Sequence, residues 1–508
     1  MTEKRVANLF DKLIAAGDPA APFLERPNGG VDTYADAQAH TARYAHALTA
    51  IGVRPGDRVA AQVEKSPENL YLYLATLRAG AVFLPLNTAY TIRELDYFIG
   101  DAGPKLVVCD PQVEEDVAGL VDPLDARVMT LDANGEGTLA DIAATRPSTF
   151  ETAARESSDL AAICYTSGTT GRSKGAMLTH GNLAANAATL VDLWRFTAAD
   201  VLIHALPIYH VHGLFVATNI VMMAGGSMIF RPRFDAAEVL SMFPRATALM
   251  GVPTFYTRLL AQPGLTREAV AGMRLFISGS APLLADTHVE WRERTGTAIL
   301  ERYGMTETGM NTSNPYDGDR VAGTVGFPLP DVSLRVADPE SGAPVPPGEI
   351  GMIEVKGPNV FAGYWNMPEK TAAEFRPDGW FITGDLGRID DRGYVHIVGR
   401  GKDLIITGGF NVYPKEVEAE IDALPGVVES AVIGLPHPDL GEGVTAVVAT
   451  GGAAGLTEAD VIAALRDRLA RFKQPRRVLF VDDLPRNAMG KVQKALLRET
   501  HAVLYKGG

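Results

Sequence analysis

Short apolar runs alternate with longer amphipathic segments over the first half of the chain. Residues 34–51 and 70–80 repeat their apolar positions with the period of a helix, and the runs GVRPGDRVAAQV, AVFLPLN and PKLVVCD are typical of buried strands. The alternation returns with LAAICYTS and a helix from Thr179, and with DVLIHALP, ATALMGVP, a helix from Thr254 and MRLFISGSA. Strands and helices in alternation form parallel βαβ units, so the pattern predicts an α/β fold.

The pattern changes twice further along the chain. After Gly323, the runs SLRVAD, GMIEVKG, WFITGDLGRID and GYVHIVGR are separated by Gly, Pro and Asp, which predicts an antiparallel sheet or a small β-barrel. From about Lys402, the strand DLIITGG, a helix in PKEVEAEIDAL, the strand VVESAVIGL, a helix over 463–471 and the strand RRVLFVDD follow. They predict a compact α+β unit of roughly a hundred residues.

One stretch raises the question of a membrane segment. Residues 212–230 contain no Asp, Glu, Lys or Arg and approach the ~20 apolar residues that span a bilayer. Because Gly225 and Gly226 interrupt the stretch, we expect a buried helix, a turn and a buried strand instead. The charged N-terminal segment also lacks the apolar core of a secretory signal. We therefore expect no membrane partner.

Composition narrows the compartment and the partners. Hydrophobic residues make up 46% and charged residues 21% of the chain, as in an ordinary soluble enzyme. The net charge of −14 disfavours nucleic acid as a partner, because phosphate binding needs a basic face. The two cysteines, Cys109 and Cys164, lie in apolar runs and form no disulfide framework, which favours a cytoplasmic protein.

The stretch YTSGTTGRSKG at 165–175 concentrates hydroxyl side chains, glycines and two basic residues after an apolar strand. It does not have the spacing of the usual P-loop. With a helix predicted from Thr179, we expect a strand–loop–helix junction whose backbone N–H groups bind an anion, with Lys174 adding charge. The motif therefore predicts a phosphate-binding loop, and an exposed flexible loop is the alternative.

Three other segments carry residues suited to nucleotide chemistry. Thr306 and Glu307 pair a hydroxyl with a carboxylate, which suits Mg²⁺ held jointly by substrate phosphates. Asp385, expected in a Gly-flanked turn with Arg400 following, suits the hydroxyls of a ribose. Lys491, on a Gly-flanked loop, suits charge stabilisation on a transferring phosphoryl group. Taken singly, the Glu307 segment is better explained as an exposed acidic loop and Lys491 as a solvated tail residue, whereas Asp385 fits its own turn as well as it fits a ribose.

The segment IYHVHG places His210 and His212 at strand spacing, where their side chains would share one face. A metal pair is one interpretation. Because no Cys or H-E-x-x-H pattern is nearby, we favour side chains that line a substrate pocket.

Together and in this order, the motifs resemble the adenylate-forming superfamily of acyl-CoA synthetases, peptide-synthetase adenylation domains and luciferases. The resemblance covers nearly the whole chain and rests on YTSGTTGRSKG, YGMTE, TGD at 383–385, GRGKD at 399–403 and RNAMGK at 486–491. It implies an α/β adenylate-forming fold. A large N-terminal domain over 1–400 would contain parallel βαβ subdomains and a small β-barrel. A hinge at 401–402, centred on Lys402, would precede a small mobile α+β lid domain over 403–508.

The resemblance also implies a reaction in two steps. A carboxylate attacks the α-phosphorus of ATP to give an acyl-adenylate and pyrophosphate, and the thiol of coenzyme A then displaces AMP. Lys491, Glu307 and His210 would be catalytic, with Mg²⁺ on Glu307 and Thr170. The residues implied to contact ATP are Thr166, Ser167, Gly168, Thr169, Thr170, Gly171, Lys174, Arg302, Tyr303, Gly304, Met305, Thr306, Glu307, Asp385, Arg400 and Lys491.

Two further expectations concern coenzyme A and regulation. Gly408, Gly409, Arg471 and Lys473 are weak candidates for the path of coenzyme A. By the same family resemblance, Lys491 is a target for a lysine acetyltransferase, whose product would lose the ammonium charge.

The acid is indicated by a closer resemblance to the malonyl-CoA synthetase branch, in LIHALPIYHVHGLF, GVPTFYTRLL, LFISGSAPL and ERYGMTETGMNTSNPYDGDR. The expected malonate site consists of His210, Arg258, Ser280 and Arg302. Arginines in a pocket for a fatty or aromatic acid would be buried unpaired charges, whereas a second substrate carboxylate would pair with them. Alternatively, Arg302 pairs with Glu301 or another local carboxylate, and Arg258 faces solvent.

Three other functions stay open at this point. The enzyme would load a carrier protein in trans, or it would activate another short acid such as methylmalonate or acetate, since one methyl group is worth only ~1–3 kcal/mol. The third is a nucleotide-binding regulatory protein without catalysis, against which the presence of Lys491 and Glu307 argues.

Overall fold

The computed structural model describes residues 7–124, 126–166, 173–408, 410–452, 455–466, 468–487 and 490–505. The chain forms two compact units. The first comprises residues 1–333 and 356–381, and the second comprises 334–355 and 382–508.

Two sheets, mostly parallel, organise the first unit. Its strands are β1 (Pro22–Glu25), β2 (Val31–Thr33), β3 (Arg58–Gln62), β4 (Val82–Pro85), β5 (Leu106–Cys109), β6 (Arg127–Thr130), β7 (Leu160–Thr166), β8 (Lys174–Thr179), β9 (Val201–His204), β10 (Ser227–Phe230), β11 (Ala248–Gly251), β12 (Leu275–Ser278), β13 (Leu300–Met305), β14 (Gly309–Ser313) and β15 (Phe327–Pro328). One sheet has the order β6-β5-β3-β4-β7-β8 and the other β15-β14-β13-β12-β11-β9-β10-β1-β2. In the first sheet, the neighbours from β6 through β5, β3 and β4 to β7 pair in parallel. In the second sheet, the neighbours from β13 through β12, β11, β9 and β10 to β1 pair in parallel. These pairings confirm the predicted βαβ arrangement.

Helices connect these strands. They are α1 (Leu9–Ile14), α2 (Tyr34–Ile51), α3 (Pro67–Arg78), α4 (Ile92–Ala102), α5 (Glu114–Val121), α6 (Thr138–Ala144), α7 (His180–Leu193), α8 (Asn219–Met223), α9 (Ala236–Met242), α10 (Pro253–Leu260), α11 (Ala285–Thr295) and α12 (Pro368–Ala373). Helix α2 has the bounds that its apolar period predicts. Thr33 and Asp36 cap its start with reciprocal hydrogen bonds, and Gly52 ends it at a φ of 103°, where a residue with a side chain would be strained.

The apolar stretch 212–230 folds as predicted into a helix, a glycine turn and a strand. It consists of a π-helix over His212–Thr218, then α8 and β10. A Cβ atom on Gly213 would lie 2.1 Å from the carbonyl oxygen of Pro207, so only glycine fits there. Among the described residues, no helix is long and apolar enough to cross a membrane.

The second unit contains two smaller sheets. Its strands are β16 (Ser333–Ala337), β17 (Gly351–Lys356), β18 (Phe381–Ile389), β19 (Val395–Arg400), β20 (Ile405–Thr407), β21 (Phe410–Val412), β22 (Glu429–His437), β23 (Gly441–Ala449) and β24 (Arg477–Val481), and its helices are α13 (Pro414–Asp422), α14 (Glu458–Leu465) and α15 (Lys494–Thr500). The region predicted as an antiparallel sheet or small barrel is a four-stranded sheet in the order β16-β17-β18-β19. The other sheet has the order β21-β20-β23-β22, with β24 paired in parallel to β23.

One helix of this unit lies earlier than predicted. The sequence pattern placed it over 463–471, whereas α14 spans Glu458–Leu465. Thr457 and Asp460 form a capping box that fixes the start of the helix before the apolar run. Strand β23 was not predicted, and it pairs along its whole length with β22.

Candidate active site

The predicted phosphate loop joins the two strands of a hairpin. Strands β7 and β8 are antiparallel, with Thr166 opposite Lys174, and the predicted loop residues Ser167, Gly168, Thr169, Thr170 and Gly171 lie outside the described residues. The predicted strand–loop–helix junction is wrong, because β8 intervenes before α7 begins at His180. A helix N-terminus therefore does not provide the anion site at this loop.

The ammonium of Lys174 is held by two residues that the sequence motifs did not identify. Its Nζ lies 2.9 Å from Oε1 of Glu374 and 4.1 Å from the centroid of the Tyr364 ring. The backbone brings Tyr364 there, because Trp365 N donates to the Gly175 carbonyl at 2.8 Å beside β8. Lys174 and Glu374 are 200 residues apart, so no local pattern could have revealed the pair.

Glu307 is a buried carboxylate in the turn between β13 and β14. The Tyr364 hydroxyl oxygen lies 2.9 Å from Oε1 of Glu307, and Phe361 N donates to the Glu307 carbonyl at 2.8 Å. The hairpin is tight, since a Cβ atom on Gly304 would lie 2.0 Å from the Gly309 carbonyl oxygen. Tyr303, Gly304 and Met305 belong to β13 itself, whereas Thr306 lies in the turn.

The donor set around Glu307 fits Mg²⁺ shared with substrate phosphates. Mg²⁺ is usually held by one or two carboxylates together with phosphate oxygens and water. Over the described ranges, no group of three or more His, Cys, Asp or Glu side chains could hold a metal ion on its own. Thr170, the other predicted ligand, lies outside the described residues, and the metal role of both residues stays a prediction.

Arg302 is a buried cation on β13 with unpaired nitrogen atoms. Its side chain lies beside Gly279, where a Cβ atom would come within 2.4 Å of the guanidinium carbon. Its Nε and Nη2 have no hydrogen-bond partner among the described residues. Burial lowers the pKa of Arg302 to about 9. The alternative ion pair with Glu301 is not formed, because Glu301 contacts Nδ1 of His288 at 3.2 Å.

Ser280 and His212 provide polar groups in the same unit. Ser280 has a φ of 71°, and its Oγ lies 3.2 Å from Nδ1 of His212. His212 is buried, and its Nε2 has no hydrogen-bond partner in the described part of the chain. Burial and then the nearby charge of Arg302 hold the pKa of His212 well below its ordinary value, so the ring is neutral. Among the two histidines, it is His212 that contacts Ser280.

The remaining pocket candidates occupy different environments. His210 lies in a turn before the π-helix, so the predicted strand spacing of the two histidines is wrong, and its Nδ1 accepts a hydrogen bond of 3.3 Å from His212 N. Arg258 is exposed in the last turn of α10. The role of His210 and Arg258 in binding malonate stays a prediction.

The predicted ribose-binding pair lies in the second unit. Asp385 is in strand β18 rather than in the predicted turn, although Gly384 before it has a φ of 75°. Asp385 pairs in register with Arg400 on β19, and Arg400 Nε lies 2.7 Å from the buried Asp385 carboxylate. The two predicted residues are therefore in direct contact.

Lys491 is exposed on a tight turn of the second unit. Asn487 N donates to the Lys491 carbonyl at 2.9 Å, Lys491 N donates to Oδ1 of Asn487 at 3.0 Å, and Gly490 has a φ of 74°. The turn thus presents the side chain at the surface of its unit, and the catalytic role of Lys491 stays a prediction.

The other predicted residues of the second unit are mostly at its surface. Lys402, Gly408 and Arg471 are exposed, and Gly409 lies outside the described residues. Lys473 forms an ion pair of 2.5 Å with Glu416, which occupies its ammonium group. Their assignment to the hinge and to coenzyme A stays a prediction.

Comparison with known proteins identifies the family. A model of the AMP-binding enzyme matches residues 14–365, and a model of the AMP-binding enzyme C-terminal domain matches residues 416–491. The chain belongs to the AMP-binding enzyme family. Its fold is that of adenylate-forming enzymes, with a large N-terminal and a small C-terminal domain.

Relatives of this AMP-binding enzyme act on different acids. MatB from Rhodopseudomonas palustris, solved with bound ATP, is 65% identical with a TM-score of 0.97, over 98% of this chain and 99% of that one. A feruloyl-CoA synthase from Amycolatopsis is 39% identical over 93% of this chain and 94% of that protein. A malonate–CoA ligase from Arabidopsis thaliana is 34% identical over 88% of this chain and 79% of that protein. The identity to MatB is thus well above the identity to the feruloyl-CoA synthase.

Replacing Asp385 by Asn in this AMP-binding enzyme should raise the KM for ATP by about ten- to a hundredfold. If Asp385 binds the ribose as predicted, its carboxylate would lose charge-assisted hydrogen bonds to the ribose hydroxyls, each worth ~1.5–3 kcal/mol. The measurement is the rate of pyrophosphate release at varied ATP. Asp391→Asn, at an exposed position of the same unit, is the control. An unchanged KM for ATP in the Asp385 variant would remove the ribose assignment.

Proposed function

We propose that this enzyme ligates malonate to coenzyme A with ATP through a malonyl-adenylate, releasing AMP and pyrophosphate. The observation that carries the proposal is Arg302, a buried guanidinium whose Nε and Nη2 have no partner in the described residues. A cation in this state is costly unless the substrate brings an anion to it. Malonate has a second carboxylate that meets this requirement, and malonate–CoA ligases are among the relatives.

The two carboxylates of malonate have separate tasks in this proposal. One pairs with Arg302 through charge-assisted hydrogen bonds, and Ser280 and His212 supply further polar contacts. The other is left to attack the α-phosphorus of ATP. Because the protein forms no covalent intermediate here, its contribution is positioning and charge stabilisation.

The remaining roles follow the chemistry of each side chain. Lys174 pairs with the β- and γ-phosphates, Asp385 and Arg400 hold the ribose, and Lys491 stabilises negative charge on the α-phosphate. Glu307 would hold Mg²⁺, which when bound neutralises charge on the phosphates. Coenzyme A then displaces AMP through its thiol.

An acid panel tests the proposal. Pyrophosphate release and thioester formation would be measured with malonate, methylmalonate, acetate and ferulate, with coenzyme A or a holo carrier protein as acceptor. We expect malonate to exceed acetate and ferulate by about 10⁴-fold in kcat/KM, because both leave Arg302 unpaired. Methylmalonate should fall within about 10- to 200-fold of malonate.

Several results would contradict the proposal. A kcat/KM for ferulate equal to that for malonate would show an aromatic acid site. Transfer to the carrier protein but not to coenzyme A would show a loading enzyme. Nucleotide binding without acid-dependent pyrophosphate release would show a regulatory protein.

A cytoplasmic lysine acetyltransferase is proposed as a further partner, acting on Lys491. The side chain is exposed at a turn, and acetylation would remove the charge that the reaction needs. Enzyme acetylated at Lys491 should lose adenylation to the same extent as Lys491→Gln, measured by malonate-dependent pyrophosphate release.

A further inference from the structure

Tyr364 and Glu374 connect Lys174 of the phosphate loop to Glu307. Glu374 accepts from Lys174 Nζ at 2.9 Å through Oε1, and its Oε2 lies 2.5 Å from the Tyr364 hydroxyl. The same hydroxyl lies 2.9 Å from Oε1 of Glu307. Because the hydroxyl has a single hydrogen, it donates to one of these two carboxylates at a time, and Glu374 is the nearer. Close contacts thus link Lys174, Glu374, Tyr364 and Glu307 in that order.

We infer that Tyr364 and Glu374 are positioning residues for adenylation, which hold Lys174 and Glu307 in fixed relation to each other. They act through those two side chains and are not themselves assigned a contact with ATP. The inference rests on the proposed function only in taking Lys174 as the partner of the phosphates and Glu307 as the carboxylate that holds Mg²⁺.

The charge arrangement supports a positioning role for Glu374. Its carboxylate lies between two cations, with Lys174 and Lys370 both 2.9 Å from Oε1. The Lys174 and Glu374 side chains are 17% and 19% exposed, so the pair is screened less than a surface ion pair. An ammonium has three N–H donors, and Glu374 engages one of them. The ion pair with Glu374 also restricts the direction of the other N–H donors of Lys174. The ammonium group therefore samples fewer positions before phosphate binds.

Tyr364 is fixed more firmly than a surface tyrosine. Its side chain is buried, and its N–H donates to Oγ1 of Thr371 at 2.9 Å. Segment 362–365 also pairs with β8, through Met177 N to the Gly363 carbonyl and Ala362 N to the Met177 carbonyl, both at 2.9 Å. The ring therefore cannot turn away from Lys174, and its hydroxyl stays between the two carboxylates.

Assays of the two half-reactions distinguish a positioning role in adenylation from general support of the fold. The first half is measured as malonate-dependent ATP–pyrophosphate exchange, and the second as thioester formation from synthetic malonyl-adenylate and coenzyme A. Lys174 and Glu307 serve only the first half. Glu374→Gln and Tyr364→Phe should each lower kcat/KM for ATP in exchange about tenfold, and leave the second half within about twofold of the parent enzyme.

Two comparisons sharpen the test. Glu369→Gln removes an exposed carboxylate from α12, the helix that ends just before Glu374, and should leave both half-reactions unchanged. In a Lys174→Ala background, Glu374→Gln should have little further effect on exchange, because Glu374 acts through Lys174. Glu374→Asp should restore part of the loss.

Each other result overturns the inference. Equal loss in both half-reactions would show that Glu374 and Tyr364 only support the fold. A lower KM for ATP in Glu374→Gln would show that Glu374 competes with phosphate for Lys174. Additive losses in the Lys174→Ala background would show no connection between the two residues. If Lys174→Ala and Glu307→Gln themselves leave exchange intact, the roles given to them under the proposed function fail as well.

Discussion

Replacing Arg302 by Met will lower kcat/KM for malonate by about 10⁴-fold and at the same time raise the free energy of unfolding of the unliganded enzyme. Activity falls because the second carboxylate of malonate loses its charged partner. Stability rises because Arg302 is buried with two unpaired nitrogen atoms and a pKa lowered to about 9 by that burial. Apolar replacement even of a buried ion pair is often neutral or stabilising by ~1–4 kcal/mol, and Arg302 lacks the partner that would offset the cost of burying its charge.

The measurements are steady-state kinetics and chemical denaturation of both enzymes. Malonate should raise the melting temperature of the parent enzyme and not that of the variant, because only the parent binds it in the folded state. Arg292→Met, which removes an exposed arginine from α11, should change neither quantity. Full activity on malonate in Arg302→Met would exclude a malonate site at Arg302.

Replacing Lys491 by Ala will abolish the first half-reaction and spare the second. A single group that stabilises charge in a transition state contributes about 10²–10³-fold to the rate. Malonate-dependent ATP–pyrophosphate exchange should therefore fall by at least that factor, while malonyl-adenylate and coenzyme A still give the thioester at the parent rate. The side chain is exposed on a turn, so the fold should not be affected.

The control for Lys491 is Lys415→Ala, on α13 of the same unit. It removes the same charge from the same unit and should leave both half-reactions intact. Retained pyrophosphate exchange in Lys491→Ala would assign the stabilisation of the α-phosphate to another group.

Much of the fold could be predicted because local signals agreed with long-range packing. Helix α2 has the predicted bounds, since its apolar period, its capping box and Gly52 all indicate the same ends. The helix predicted at 463–471 was misplaced, because apolar residues were given more weight than the cap at Thr457. Strand β8 was missed because its residues follow the glycines of the loop, and its pairing with β7 decides its conformation.

The candidate site divides in the same way. Asp385 and Arg400 were found through short motifs, and the structure places them in contact. Tyr364 and Glu374 could not be found, because their contacts depend on backbone pairing between β8 and a segment far along the chain. The unpaired state of Arg302 was also inaccessible, since the sequence allowed a pair with Glu301 and only the structure shows Glu301 beside His288.

The contact between Gly279 and Arg302 restricts the order in which this enzyme could change its acid. A Cβ atom at position 279 would lie 2.4 Å from the guanidinium carbon, so a side chain there would have to displace the guanidinium of Arg302 from its position. The reverse order is open, because loss of Arg302 empties the space that a new side chain would occupy. A residue larger than glycine at 279 would therefore displace the guanidinium that pairs with a second carboxylate, whereas after loss of Arg302 it would meet no such contact.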